Sequence, residues 1–133
     1  MRAYEARSSI EIDEAFTRIV DDHTQALIIF SDGLTTAYQK KLADLALAHR
    51  LPAMFGFREF TEMGGLISYG ASNTAMWRRA ASYVDRILKG SSPGDLPIEQ
   101  AARFELVINL KTAKALGLEI PPNVLAQADE ALE

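Results

Sequence analysis

Four short stretches carry residue types suited to holding a ligand: Ser31-Asp32-Gly33, Phe57-Arg58, Ser68-Tyr69-Gly70 and Asn73-Thr74. Each follows or closes a short apolar run. Backbone amides left free where a helix begins suit a carboxylate or a phosphate, and Ser31-Asp32-Gly33 and Asn73 offer such amides. Asp32 could instead hold an ammonium group. Tyr69 and Phe57 could stack on a ring. Plainer roles compete: Asp32 and Asn73 are also ordinary helix N-caps, and Phe57 an ordinary core residue.

Catalysis has less to work with. The chain has no cysteine, which excludes disulfides, thiol catalysis and Cys-based metal sites. Its two histidines, His23 and His49, fall in a helix-to-strand loop and near a helix C-terminus, away from the strand ends. No G-x-S-x-G elbow, P-loop or G-x-G-x-x-G is present, and Gly64-Gly65 reads as a break between helix and strand. A phospho-accepting receiver domain fits the length but needs a carboxylate cluster, a divalent metal and a strand-end lysine. The strand ends carry Ser8, Asp32, Arg58 and Tyr69 instead. A binding protein is expected, not an enzyme, with no cofactor and no metal.

The elements that must position these residues are legible as patterns. A strand is expected at Arg2–Arg7. Ser8 and Glu11 have capping-box spacing ahead of a helix to Asp22, with Ile12, Phe16, Ile19 and Val20 on one stripe. Ala26–Phe30 is apolar without alternation, as in a parallel strand covered on both faces. A helix follows to about Arg50, with Leu34, Tyr38, Leu42, Leu45 and Ala46 inward and Lys40 and Lys41 solvated. Strands at 52–57 and 66–69 flank a short helix at 59–63. Asn73 or Thr74 should cap a helix to about Lys89, its inward face Trp77, Ala80, Ala81, Val84, Ile87 and Leu88, with Gly90 beyond. Next come a weakly extended Ile98–Ala101 and an alternating, edge-like strand at Phe104–Leu110. A short helix closed by Gly117 follows. A last helix starts at Pro121-Pro122, with Val124, Leu125, Ala128 and Leu132 inward. The alternation specifies one α/β domain over 1–133: a doubly wound, mostly parallel sheet with helices on both faces. Such sheets take ligands beyond the carboxyl ends of their strands, where the four stretches fall.

Composition agrees. The chain has 133 residues, 48% hydrophobic and 24% charged, which suits one globular domain. A net charge of −4 without a basic run gives nucleic acid no purchase. No apolar run is long enough to span a bilayer, and the N-terminus lacks an apolar signal region.

Five blocks carry a further likeness: Leu-Pro-Ala-Met-Phe-Gly-Phe-Arg-Glu-Phe (51–60), Gly-Gly-Leu-Ile-Ser-Tyr-Gly (64–70), Arg-Arg-Ala-Ala-Ser-Tyr-Val-Asp-Arg-Ile-Leu-Lys-Gly (78–90), Asp-Leu-Pro-Ile-Glu-Gln (95–100) and the run Phe104–Gly117. In this order they resemble the C-terminal part of ABC-transporter substrate-binding proteins of the tryptophan/tyrosine-binding type, over nearly the whole chain. The resemblance implies a Rossmann-like lobe of the periplasmic-binding-protein type I fold. Two such lobes close on a small amino acid-like ligand, aromatic amino acids included, and deliver it to an ABC permease. It carries pocket roles onto Ser31, Asp32, Gly33, Phe57, Arg58, Ser68, Tyr69 and Gly70. Asn73 joins them from the reading of helix starts.

Family members are extracytoplasmic, about twice as long, and begin with a secretion signal. The chain is thus expected to be a fragment of a secreted protein or a cytoplasmic orphan. Helix 73–90 would cross to the other lobe. Alone, it must fold back onto this sheet or meet a second copy, so a homodimer is expected. The alternative function is a self-associating interaction module that kept the fold without the ligand.

Overall fold

Ser8 forms the cap that the spacing predicts, but Glu11 reaches back to the Arg7 amide rather than to that of Ser8. The Glu11 amide donates to Ser8 Oγ at 3.2 Å, and the Glu11 carboxylate accepts from the Arg7 amide at 3.0 Å. This starts α1 (Ser9–Asp21), whose Ile12, Phe16 and Ile19 are buried. The computed structural model describes residues 1–100 and 103–133. After α1 come β1 (Leu27–Ile29), α2 (Gly33–Ala37), α3 (Gln39–Ala48), β2 (Ala53–Phe55), α4 (Arg58–Glu62), β3 (Ile67–Ala71) and α5 (Asn73–Leu88). A 3₁₀ turn at Pro93–Asp95 leads to β4 (Phe104–Asn109), α6 (Leu110–Leu116), α7 (Pro122–Leu125) and β5 (Glu130–Leu132).

The strands lie side by side in chain order. β1, β2 and β3 run parallel, β4 is antiparallel to β3, and β5 runs parallel to β4. The sheet is mostly parallel and the fold is α/β, as the alternation specifies. One core cluster joins Ile12, Phe16 and Ile19 of α1, Leu42, Ala43 and Ala46 of α3, Ala53 and Phe55 of β2, and Phe60 of α4. Ile28, between two strand residues that pack on this cluster, faces the other way and is 61% exposed.

Several sequence expectations give way in the structure, some of them to tertiary partners. Arg2–Arg7 is not a strand but lies along α1, with Tyr4 Oη donating to Asp22 at 2.7 Å and Arg18 donating to the Glu5 carbonyl. The helix expected to run to Arg50 breaks at Tyr38, which is exposed. Lys41 is only partly solvated: its Nζ donates to the Ser9 carbonyl at 2.8 Å and to Asp13 at 2.7 Å, tying α3 to α1. β4 is internal, between β3 and β5. The last helix stops at Leu125, and Leu132 lies in β5. Ile98–Gln100 is irregular, and Ala101 lies outside the described residues.

The largest departure is α5. Its amphipathic stripe was expected to turn inward, yet no residue of the helix is buried. Trp77 is 74% exposed and Leu88 82%. The segment between β3 and β4 leaves the sheet and folds on itself. Arg79 pairs with Glu99 and lies over the Tyr83 ring, and Tyr83 Oη donates to the Pro97 carbonyl at 2.6 Å. Its entry and exit are joined where the Ser72 amide donates to the Arg103 carbonyl at 3.0 Å.

Candidate functional site

The carboxyl ends of β1, β2 and β3 come together at three small residues. A Cβ on Gly70 would overlap the carbonyl oxygen of Gly56 and stand 2.8 Å from its carbonyl carbon. A Cβ on Gly56 would in turn overlap Ser31 Oγ. The Ser31 hydroxyl, the Gly56 peptide and Gly70 are thus stacked against one another, and two glycines are what permit the approach. Ser31 and Gly70 were expected at the site; Gly56, within the Phe-Gly-Phe run, is an addition.

Asp32 is engaged as the cap of α2. Its Oδ1 accepts from the Thr35 amide at 2.7 Å, and its own amide donates to Thr35 Oγ1 at 2.9 Å. The Thr35 amide bond, followed by the Thr35 hydroxyl, holds the Asp32 carboxyl below the usual carboxylate range. Gly33, the first residue of α2, is exposed beside it.

Phe57 precedes α4 and packs on the core, edge-on to Phe55 at 6.2 Å between ring centroids. Arg58 faces three carboxylates: Glu62 and Glu130 at 2.9 Å each and Glu105 at 3.8 Å. Hydrogen bonds to Glu62 and then Glu130 push its pKa further up. This guanidinium fastens α4 to β4 and β5, since Glu105 lies opposite Gly70 in the β3–β4 ladder.

Ser68 and Tyr69 part company because successive strand residues face opposite sides. Ser68 turns into the core face and is 1% exposed, so it presents nothing to the edge. Tyr69 is half exposed on the other face and leans on Phe104, 5.9 Å between centroids. Ser72, not Asn73, caps α5, its Oγ accepting from the Ala75 amide at 3.4 Å. Asn73 Nδ2 donates instead to Glu59 Oε1 at 3.0 Å. Glu59, the first residue of the short helix expected at 59–63, was not among the expected site residues, and an acidic residue in a first turn is too common to carry a signal.

The candidate site is an edge: Ser31, Gly56 and Gly70 lie at its centre, Arg58 and Glu59 on one flank, and Asn73 where the chain departs into α5. No group of three or more His, Asp or Glu among the described residues is placed to hold a metal ion.

Similarity to known proteins bears on what binds. The family model described as "ABC transporter substrate binding protein" matches residues 1–132. The chain is 23% identical over 112 residues to a tyrosine-binding protein of Clostridioides difficile (strain R20291), covering 84% of this chain and 32% of that protein. A conserved domain protein of Vibrio cholerae has the same fold, with 27% identity and a TM-score of 0.84 over 95% of this chain and 42% of its own. So does an ABC domain from Streptococcus pneumoniae solved with L-Trp, with 23% identity and a TM-score of 0.86 over 98% and 45%. The chain spans about a third of the length of the curated relative and under half of each solved chain. The match over residues 1–132 settles the family, one of substrate-binding proteins rather than enzymes: the chain belongs to the ABC transporter substrate binding proteins.

Proposed function

We propose that the chain is an amino acid-binding lobe of a solute-binding protein serving an ABC-type importer, with its ligand at the carboxyl edge of the sheet. The observation that carries this reading is the convergence of three strand ends at Ser31, Gly56 and Gly70 in a member of a substrate-binding family. The tyrosine-binding relative and the neighbour solved with L-Trp support an aromatic amino acid as the ligand. Partners follow from the reading: a second lobe to close the cleft and an ABC permease to receive the ligand, in an extracytoplasmic setting. Thermal unfolding against a panel of L-amino acids tests it. L-tyrosine or L-tryptophan should raise Tm, the stabilisation growing as RT ln(1 + [L]/Kd), about 2.7 kcal/mol at a hundredfold excess over Kd. Unchanged melting across the panel overturns the proposal.

A second reading rests on a different observation, the open apolar stripe of α5. Trp77, Val84 and Leu88 are 74%, 54% and 82% exposed, and a face of this kind ordinarily meets a partner. In this reading two copies of the chain meet through helix 73–90, and the fold serves self-association. Light scattering over a wide concentration range should then show a dimer that Trp77→Glu dissociates. A monomer throughout contradicts it.

A further inference from the structure

Glu59 is a carboxylate without a cation. Among the described residues no lysine, arginine or histidine is within ion-pair distance of it. The neighbouring Arg58 is turned to Glu62, Glu105 and Glu130. Glu59 Oε1 accepts from Asn73, but Oε2 is enclosed and has no hydrogen-bond donor. A buried carboxylate oxygen in that condition is costly, and such atoms ordinarily have a partner.

The position of this oxygen is as informative as its lack of a partner. Glu59 stands in the first turn of α4, directly past β2, and Asn73 opens α5, directly past β3. Their hydrogen bond bridges the ends of two neighbouring parallel strands, in the crevice where α/β sheets take ligands. The other carboxylate of this edge that follows a strand, Asp32, already spends Oδ1 on the Thr35 amide and hydroxyl.

We propose that Glu59 receives the α-ammonium group of the bound amino acid, with Oε2 as the acceptor and Asn73 holding the carboxylate in orientation. The inference rests on the amino acid reading above and names the chemistry of its site. An ammonium group supplies both what Oε2 lacks, an N–H donor and a positive charge. Oε2 is covered in this structure, so binding requires its cover to open while Asn73 keeps its bond to Oε1.

The test compares each amino acid with its counterpart lacking the ammonium group: L-tryptophan with indole-3-propionate, and L-tyrosine with 3-(4-hydroxyphenyl)propionate, by calorimetry on the whole chain. Wild type should bind the amino acid at least about tenfold more tightly, the value of one charge-assisted hydrogen bond. Glu59→Gln should lose most of that preference. If Glu59→Gln does not fold, Glu59→Asp, which withdraws the carboxylate by one methylene, should show a reduced preference. A preference that survives the substitution, or a wild type that does not discriminate, overturns the role of Glu59 and leaves amino acid binding standing. A wild type that binds neither amino acid overturns both.

Discussion

Phe60→Ala should cost about 3–5 kcal/mol of folding stability, the range for truncating a fully buried aromatic residue. Phe60 is 0% exposed and stacks on Phe55 at 5.2 Å between centroids. Its ring also lies flush against the chain at Gly65, where a Cβ would come within 2.7 Å of Phe60 Cζ. Walls made of a second ring and a backbone collapse poorly, so the cavity persists and the loss falls in the upper part of the range. Urea denaturation measures it as a lower midpoint at unchanged m-value. A loss under about 1 kcal/mol would contradict this packing. The consequence reaches the binding edge. α4 has only five residues, too few to hold together without tertiary packing. Phe60 and Thr61 are its buried residues, and Arg58 and Glu59 are placed by the same turn of helix.

Local signals in the sequence were read correctly where the physics is local. The Ser8 cap, whose Oγ accepts from the Glu11 amide, and the left-handed Gly117 after α6 each need only near neighbours. Several of the failures share one cause, a partner distant in sequence. Ala128–Leu132 has ordinary helix-forming composition, but the Asp129 amide donates to the Leu106 carbonyl and its carboxylate accepts from the Leu106 amide. That pairing with β4 turns the segment into β5, overriding a propensity worth only tenths of a kcal/mol per residue. For α5 the period announced an apolar face, but a period does not say what covers it. Among the site residues, Ser31 and Gly70 could be placed at strand ends, whereas the opposite facing of Ser68 and Tyr69 waited on which side of the sheet the core occupies. Glu59 had no signal at all, since an oxygen lacking a donor is a fact of three dimensions.

Gly70→Ala should cost about 1–3 kcal/mol, the range for overpacking a filled interior, and Gly70→Val more. The new Cβ would overlap the Gly56 carbonyl oxygen and lie 2.8 Å from its carbon, and backbone cannot rotate aside as a side-chain tip can. Nor is there slack around it. β3 is held by β2 on one side and β4 on the other, and Gly56 already meets Ser31 Oγ on its far side. Relief therefore requires moving β3 relative to β2, which displaces Glu105 opposite Gly70 and Asn73 just beyond it. Gly33→Ala is the matched control: a Cβ there meets nothing within 4 Å and falls in a helix, where alanine is favoured over glycine. Urea titration of the pair should show Gly33→Ala at or above wild type and Gly70→Ala well below it. Equal midpoints would mean that β2 and β3 do not approach as closely as the two glycines permit. If the edge is where the amino acid sits, Gly70→Ala should also weaken the Tm rise with L-tryptophan or L-tyrosine. The movement that relieves the overlap is the same one that separates Asn73 from Glu59.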